Sequence, residues 1–370
     1  MLLRRPVNGA GGVVVFSHRE LPILAALDRI GNQDWDSLVK ESLIAVHFGF
    51  RHVWASLPRS VDVVLGGEGT LPRWITGARG RTNYCSRDFV GSHFGSQAQA
   101  RPWDYISVSR VAKNKRNDRE IKVLAELVVS HPNRSFCVIL PAPPLGHPAR
   151  NEYDEVVEEY RKLGFIFNDT ESRLTVLKGD ESSYPRNLSR LEVATLMRSA
   201  RIYAHWADRE GQSRTISEAL RSGCFVLADR GLVGGGLDYL EPKNSELFRN
   251  WRDARARLSR LLETDLRPEH NLPSHAENVE KFMMVMENFS RAAPSKAGQG
   301  AWLMDELDFR LPSHGCPAEL GREFETPELG SDDGWQWLID VGLLRLEPSQ
   351  FAELKPYTSP IQRLWRWLRQ

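Results

Sequence analysis

Glu210 and Glu218 frame the stretch of this chain whose residue types are best suited to chemistry. Between them run Gly211, Gln212, Ser213, Arg214, Thr215, Ile216 and Ser217. Gly211 permits a sharp entry into a helix, and Ser213 is a residue type that caps one. The free amides around Arg214 and Thr215 would then point outward with the positive end of the helix dipole, which makes an anion site. Glu210 precedes that site, and Glu218 lies about two turns along the helix, roughly opposite its apolar face. The two carboxylates thus flank a place suited to phosphate. A second anion-seeking stretch lies upstream. The loop from Arg110 to Arg119 carries Arg110, Lys113, Lys115, Arg116 and Arg119 against Asp118.

The elements that must hold these residues can be read from apolar runs. Ile202 to Trp206 and Cys224 to Ala228 are short apolar segments bounded by turn residues, the pattern of strands buried between helices in a parallel sheet. Between them Ile216, Ala219, Leu220 and Gly223 fall at helical spacing and would face the sheet. The basic loop likewise follows a strand, Tyr105 to Ser109, and precedes a helix with Ile121, Leu124, Leu127 and Val128 inward. Strand runs at Phe136 to Leu140 and Leu174 to Leu177 alternate with helices at Tyr153 to Leu163 and Leu191 to Met197. In a doubly wound sheet the turns after parallel strands meet at one edge, so the basic loop and the helix start can face one ligand. Gly234, Gly235 and Gly236 follow the last of these strands, as a loop beside that ligand or as a flexible turn. The plain alternative for the glutamates is a solvated charge ladder of Arg214, Glu218 and Arg221.

The run EGQSRTISE followed by ALRSGCFVLAD resembles the E-x7-E signature of family-4-type retaining glycosyltransferases. The resemblance covers residues 103 to 240. It implies the GT-B fold, an α/β architecture of two Rossmann-like domains, with nucleotide-diphosphate sugars as donors. It implies that Glu210 lies by the donor sugar and that Glu218 holds the ribose hydroxyls. It also implies that Arg110 and Lys115 clamp the diphosphate, with Gly211, Ser213, Arg214, Thr215 and Gly235 around the donor. An Arg fork and a Lys point charge suit two phosphates. Glu210, Arg110 and Lys115 are therefore the expected catalytic residues. No metal or other cofactor is expected, because the protein supplies the cations. Retention without an enzyme nucleophile implies front-face attack, with the donor phosphate taking the acceptor proton. Where the family carries an aromatic and a glycine, this chain has Gln212 and Ser213, so the sugar stays open.

The rest of the chain bounds this reading. A chain of 370 residues exceeds one ordinary core. The expected division is a short N-terminal acceptor-side domain at 1–100, a donor domain at 101–265, and a helical C-terminal extension at 266–370. Val13 to Phe16 reads as a strand feeding a helix with Leu21, Leu24, Ala25 and Leu27 on one face. His18, in the loop after that strand, is the acceptor-side candidate, against the plainer reading of a solvated histidine. Further strand runs lie at Val53, at Val61 to Leu65 and around Tyr84. The GGEG at Gly66 to Gly69 lacks dinucleotide spacing and reads as a turn. Asp34 and Asp36 form a D-x-D without a preceding strand and read as a loop or helix start. Residues 91–101 read as a linker.

A net charge of +1 gives no global pull toward nucleic acid, and the basic loop lacks the aromatics that would stack bases. Cys85, Cys137, Cys224 and Cys316 are scattered without metal-ligand spacing, as buried thiols in a reducing compartment would be. The first residues hold too few apolar side chains for a secretory signal, so a cytoplasmic place is expected. The terminal SPIQRLWRWLRQ is a basic helix with tryptophans, able to dock on the protein or to lie on an anionic membrane at the inner face. The expected function is retaining transfer of a sugar from a nucleotide-diphosphate sugar to a glycan or glycolipid, of the kind used in cell-envelope polysaccharide synthesis. The rival readings are a non-catalytic nucleotide- or glycan-binding relative, and a sugar-nucleotide epimerase or hydrolase.

Overall fold

The structure is a computed structural model that describes residues 2–4, 11–48, 57–66, 80–95, 100–184, 187–270, 272–293, 296, 302 and 344–350. Val53, Gly67, Gly69, Cys316 and the terminal basic helix lie outside them. The chain divides into two compact units, one made of 1–89 with 273–370 and one of 90–272. The boundaries therefore fall before Val90 and after Leu272, instead of near residues 100 and 265. Part of the expected linker is packed structure, because Phe94 is fully buried in the core of the second unit.

In the first unit, strands β1 (Leu2–Arg4), β2 (Gly12–Ser17), β3 (Ser42–His47), β4 (Val63–Leu65) and β5 (Gly80–Thr82) form a sheet in that order. Only β1 runs antiparallel. Helices α1 (Leu21–Ile30) and α2 (Gln33–Glu41) join β2 to β3. The period of two along the strands divides the core: Val14, Phe16, Ile44 and Val46 face Leu24, Leu27, Trp35 and Leu38 of these helices. Asp34 and Asp36 lie in the first turn of α2, where Asn32 caps by accepting from Trp35 N at 2.9 Å. Here carboxylates complement the positive end of the helix dipole.

The second unit holds seven parallel strands: β6 (Trp103–Val108), β7 (Phe136–Ile139), β8 (Ile166–Phe167), β9 (Leu174–Leu177), β10 (Ala200–His205), β12 (Phe225–Asp229) and β14 (Ser245–Phe248). A small separate pair, β11 (Arg209–Gln212) and β13 (Val233–Gly235), lies between them in sequence. The main order is β14-β12-β10-β6-β7-β9-β8. Ile202, Ala204, Phe225 and Leu227 face α3 (Asn117–Ser130), α4 (Arg150–Lys162) and α7 (Trp251–Glu263). Tyr203, Val226 and Ala228 face α5 (Arg190–Arg198) and α6 (Arg214–Arg221). Strand–helix–strand β10–α6–β12 is present as expected, with Ile216, Ala219 and Leu220 buried against the sheet.

The chain then re-enters the first unit as α8 (His275–Arg291). Val279, Phe282 and Met286 pack on Val13, Val15, Leu43, Ala45 and Val63, covering the sheet face opposite α1 and α2. In the MMVM run, Met286 is core and Met284 is exposed. The first unit is thus completed by residues from late in the chain. Among the described residues no helix is long and apolar enough to cross a membrane.

Candidate functional site

The carboxyl edge of the second sheet gathers the turns after β6, β10 and β12. Two of them are stapled by Asn114, whose carbonyl accepts from Asp208 N at 3.0 Å and whose Nδ2 donates to Arg209 O at 2.8 Å. Beyond Asp208 the chain enters β11, which pairs in parallel with the glycine-rich β13, Gln212 opposite Gly235. Ser213 N donates to Gly235 O at 3.3 Å. Gly234 has φ +119°, and a Cβ there would come within 1.6 Å of the Glu210 carbonyl oxygen. The glycine loop is therefore packed on the backbone that carries Glu210, and a side chain at Gly234 is excluded by contact as well as by conformation.

Charges converge on the same edge. Lys115, in the 3-10 turn Lys113–Lys115 after β6, donates to Glu210 Oε1. Arg116 takes the left-handed conformation, φ 56°, which sends its guanidinium to Asp118 and to Asp208 at 3.0 and 3.1 Å. Arg119 reaches Asp229, at the end of β12, at 2.5 Å. Arg110 is exposed. Glu218 departs from the expected solvent face: it is buried, 3.1 Å from Arg190 and 3.5 Å from Arg214. The cause is α5, which packs beside α6 and brings Arg190 from its first turn, laid over the Phe94 ring at 5.1 Å. Arg214 and Glu218 do form a one-turn pair, but in a buried cluster instead of a solvated ladder.

Ser213 occupies the N-cap position of α6 without making the capping bond. Its hydroxyl instead contacts His205 Nε2 at 3.3 Å and Thr215 Oγ1 at 3.4 Å. His205, the last residue of β10, is 4% exposed. Its Nδ1 lies 3.1 Å from the Tyr203 hydroxyl and its Nε2 lies 3.8 Å from Glu210 Oε1. Burial, which disfavours the imidazolium, pushes its pKa down to about 4; Glu210 opposes this and Lys115 adds to it. Burial likewise raises Tyr203, whose hydroxyl also bonds Thr215.

Gly211, Ser213, Thr215 and Gly235 are brought together with Glu210 and Lys115, and Arg214 joins Glu218 one helical turn away. His18 belongs to the other unit. It is buried at the end of β2, stacked on Phe48 with ring centroids 6.0 Å apart, and so is not a solvated loop histidine. Asn114, Arg190 and His205 were not singled out from sequence. For His205 a signal existed: the period of two that puts Tyr203 under α6 puts His205 there as well. A groove of about 1120 Å³ runs from Lys113, Arg116 and Asp208 along Glu152, Glu155 and Glu159 of α4. Its lining carries seven carboxylates against three cations, Lys113, Arg116 and Lys162, so it repels phosphate. Among the described residues no cluster of three or more His, Cys, Asp or Glu could hold a metal ion.

No protein-family profile matches the chain, and no curated protein matches it. Solved structures do. A trehalose-6-phosphate synthase, solved in work on enzymatic glycosyl transfer with retention, superposes with a TM-score of 0.50 at 12% identity over 75% of this chain and 70% of that one. TarM of S. aureus, in complex with UDP, gives 0.48 at 15% identity, and the chain spans 51% of its length and is itself covered over 67%. The C-terminal domain of LpcC, a glycosyl transferase group 1 family protein of Francisella tularensis, gives 0.37 at 16% identity over 47% of this chain and 87% of that domain. At these identities the likeness concerns architecture. Two α/β units with parallel sheets, superposing on the synthase, give the chain the GT-B fold of glycosyltransferases.

Proposed function

We propose that the protein is a retaining glycosyltransferase that moves a sugar from a nucleotide-diphosphate sugar to a glycan or glycolipid acceptor. The observation that carries this reading is the contact of Lys115 with Glu210, which joins the two motifs across the edge where such folds bind ligands. As the bond from sugar to diphosphate breaks, negative charge grows on the diphosphate and the sugar becomes cationic. Arg110, Lys115 and the amides at the start of α6 stabilise the first, and Glu210 lies beside the second. Glu218 holds the ribose, oriented by Arg190 and Arg214. The donor phosphate takes the acceptor proton in a front-face attack. The reading carries with it a cytoplasmic protein whose acceptor belongs to an envelope glycan or lipid.

The test is calorimetric titration with UDP, GDP and ADP, repeated with Lys115→Ala and Glu218→Gln. Dissociation constants of order micromolar for one nucleotide, about −8 kcal/mol, and weakening of tenfold or more in both variants are expected. Failure of all three nucleotides to bind, or equal binding by the variants, would falsify the assignment. Release of the same nucleotide from its sugar conjugate only when an acceptor glycan is added then separates transfer from hydrolysis.

A further inference from the structure

His205 takes no part in the proposed transfer, yet its Nε2 lies 3.8 Å from Glu210 Oε1. Its surroundings are specific. From β10 it meets the Tyr203 hydroxyl, from the start of α6 the hydroxyl of Ser213 with Thr215 beyond it, from β11 the Glu210 carboxylate, and from the turn after β6 the Lys115 ammonium acts on it. Glu218 acts on Tyr203 at longer range and already has Arg190 and Arg214. The ring is thus buried with an acceptor beside each nitrogen: the Tyr203 oxygen at Nδ1, and the Ser213 and Glu210 oxygens at Nε2. That is the arrangement a doubly protonated imidazole needs.

On the donor reading above, Lys115 has two claims on it, the Glu210 carboxylate and the diphosphate. The side chain of Glu210 is 12% exposed, so a Glu210 that lost its cation to the diphosphate would be a poorly solvated anion. We propose that His205 is the reserve counter-ion of Glu210: as a diphosphate draws Lys115 away, His205 takes a proton from solvent and holds the carboxylate through Nε2. The charge facing Glu210 is thereby conserved. One proton leaves the buffer and ends on the imidazole, and no bond to the nucleotide forms or breaks. The ring of hydroxyls at Ser213, Thr215 and Tyr203 offers the proton a path, and the gain is that Glu210 keeps its place while Lys115 serves the phosphates. His205 is on this view a positioning residue.

Protons taken up on nucleotide binding are counted by titrating the nucleotide that binds at pH 6.0 in two buffers of different ionisation enthalpy, with wild type and His205→Gln. A histidine held near 4 is about one per cent protonated at this pH, and each unit by which the loss of the Lys115 charge raises it brings about tenfold more imidazolium. Wild type should therefore take up more protons than H205Q. Nucleotide bound by both proteins with equal proton counts overturns the proposal, whereas no binding by wild type overturns the donor reading itself. Should H205Q not fold, the imidazole resonance of wild type that titrates near 4 is followed by NMR in Lys115→Ala. Removing Lys115 should move that titration up without nucleotide; a titration that stays near 4 refutes the exchange of counter-ions.

Discussion

Gly234→Ala tests whether the glycine loop sets the position of Glu210. The Cβ of an alanine there would lie 1.6 Å from the Glu210 carbonyl oxygen, and contacts under 3.0 Å essentially do not occur, so the two must separate by at least 1.4 Å (3.0 − 1.6). The atom met is backbone, so no rotamer change relieves it, and φ +119° adds roughly 1–3 kcal/mol of conformational strain. The displaced strand carries Glu210, and the same loop accepts from Ser213 N at the mouth of α6. Misplacing a reacting group by about 1 Å costs on the order of a hundredfold in rate, or about 2.7 kcal/mol. Donor turnover, measured as nucleotide released from the sugar nucleotide, should thus fall by about a hundredfold or more.

The comparison is Gly31→Ala, where φ is +69° and a Cβ would meet nothing within 4 Å. That variant carries backbone strain in open space, far in sequence from the site, and should lower thermal stability with turnover unchanged. A Gly234→Ala protein with turnover within about threefold of wild type would mean that the loop packs on Glu210 without positioning it.

Two buried titratable groups, His205 and Glu218, offer further tests. A buried histidine kept neutral binds fewer protons folded than unfolded, so its contribution to stability is present above the ordinary value near 6.5 and is lost as pH falls toward 4. Wild type should lose on the order of 3 kcal/mol between those limits that His205→Gln does not lose, read by urea unfolding at pH 7 and pH 4.5; parallel losses in both would contradict the buried neutral ring. Glu218→Gln keeps the shape of the residue but leaves Arg190 and Arg214 without their counter-charge, and should destabilise the second unit by about 3 kcal/mol in the same assay. A change under about 1 kcal/mol would return Glu218 to the rank of a surface charge.

How legible these features are depends on whether a residue's partner is local. Strand–helix–strand β10–α6–β12 is readable because apolar runs, glycines and helical spacing all lie within one stretch. Strand β3 escapes the same reading, because Ser42 ends α2 and begins the strand with no turn residue between them. Helix α8 falls within the expected helical extension at 266–370, but the sheet it covers is formed by residues far upstream. The position of Glu218 on its own helix points to solvent, and only the arrival of α5 buries it. His205 looks like any strand-end residue until Glu210, Ser213 and Lys115 are folded around it. The nearness of the basic loop to the start of α6 is legible from sequence, because parallel strands send their turns to one edge, but the contact of Lys115 with Glu210 is not.

That convergence has a consequence for affinity. Lys115, Arg116, Arg119, Arg190 and Arg214 each already hold a carboxylate, namely Glu210, Asp208 with Asp118, Asp229 and Glu218, while Arg110 is exposed. On the proposed donor reading a diphosphate would gain the clamp by exchanging partners, and what it gained would be reduced by what the carboxylates gave up. Asp208→Asn isolates this effect, because Asp208 lies at the rim, with its side chain 40% exposed and that of Arg116 27% exposed. Solvent screens such a pair to at most about 1 kcal/mol. Freed of Asp208, Arg116 should draw the diphosphate up to about fivefold more tightly at low salt, with the gain fading as ionic strength rises. The measurement is nucleotide titration of both proteins at low and at high salt. Binding that weakens in Asp208→Asn would show that Asp208 is there to aim Arg116 and not to compete for it, and the edge would then be preset for its ligand instead of neutralised against it.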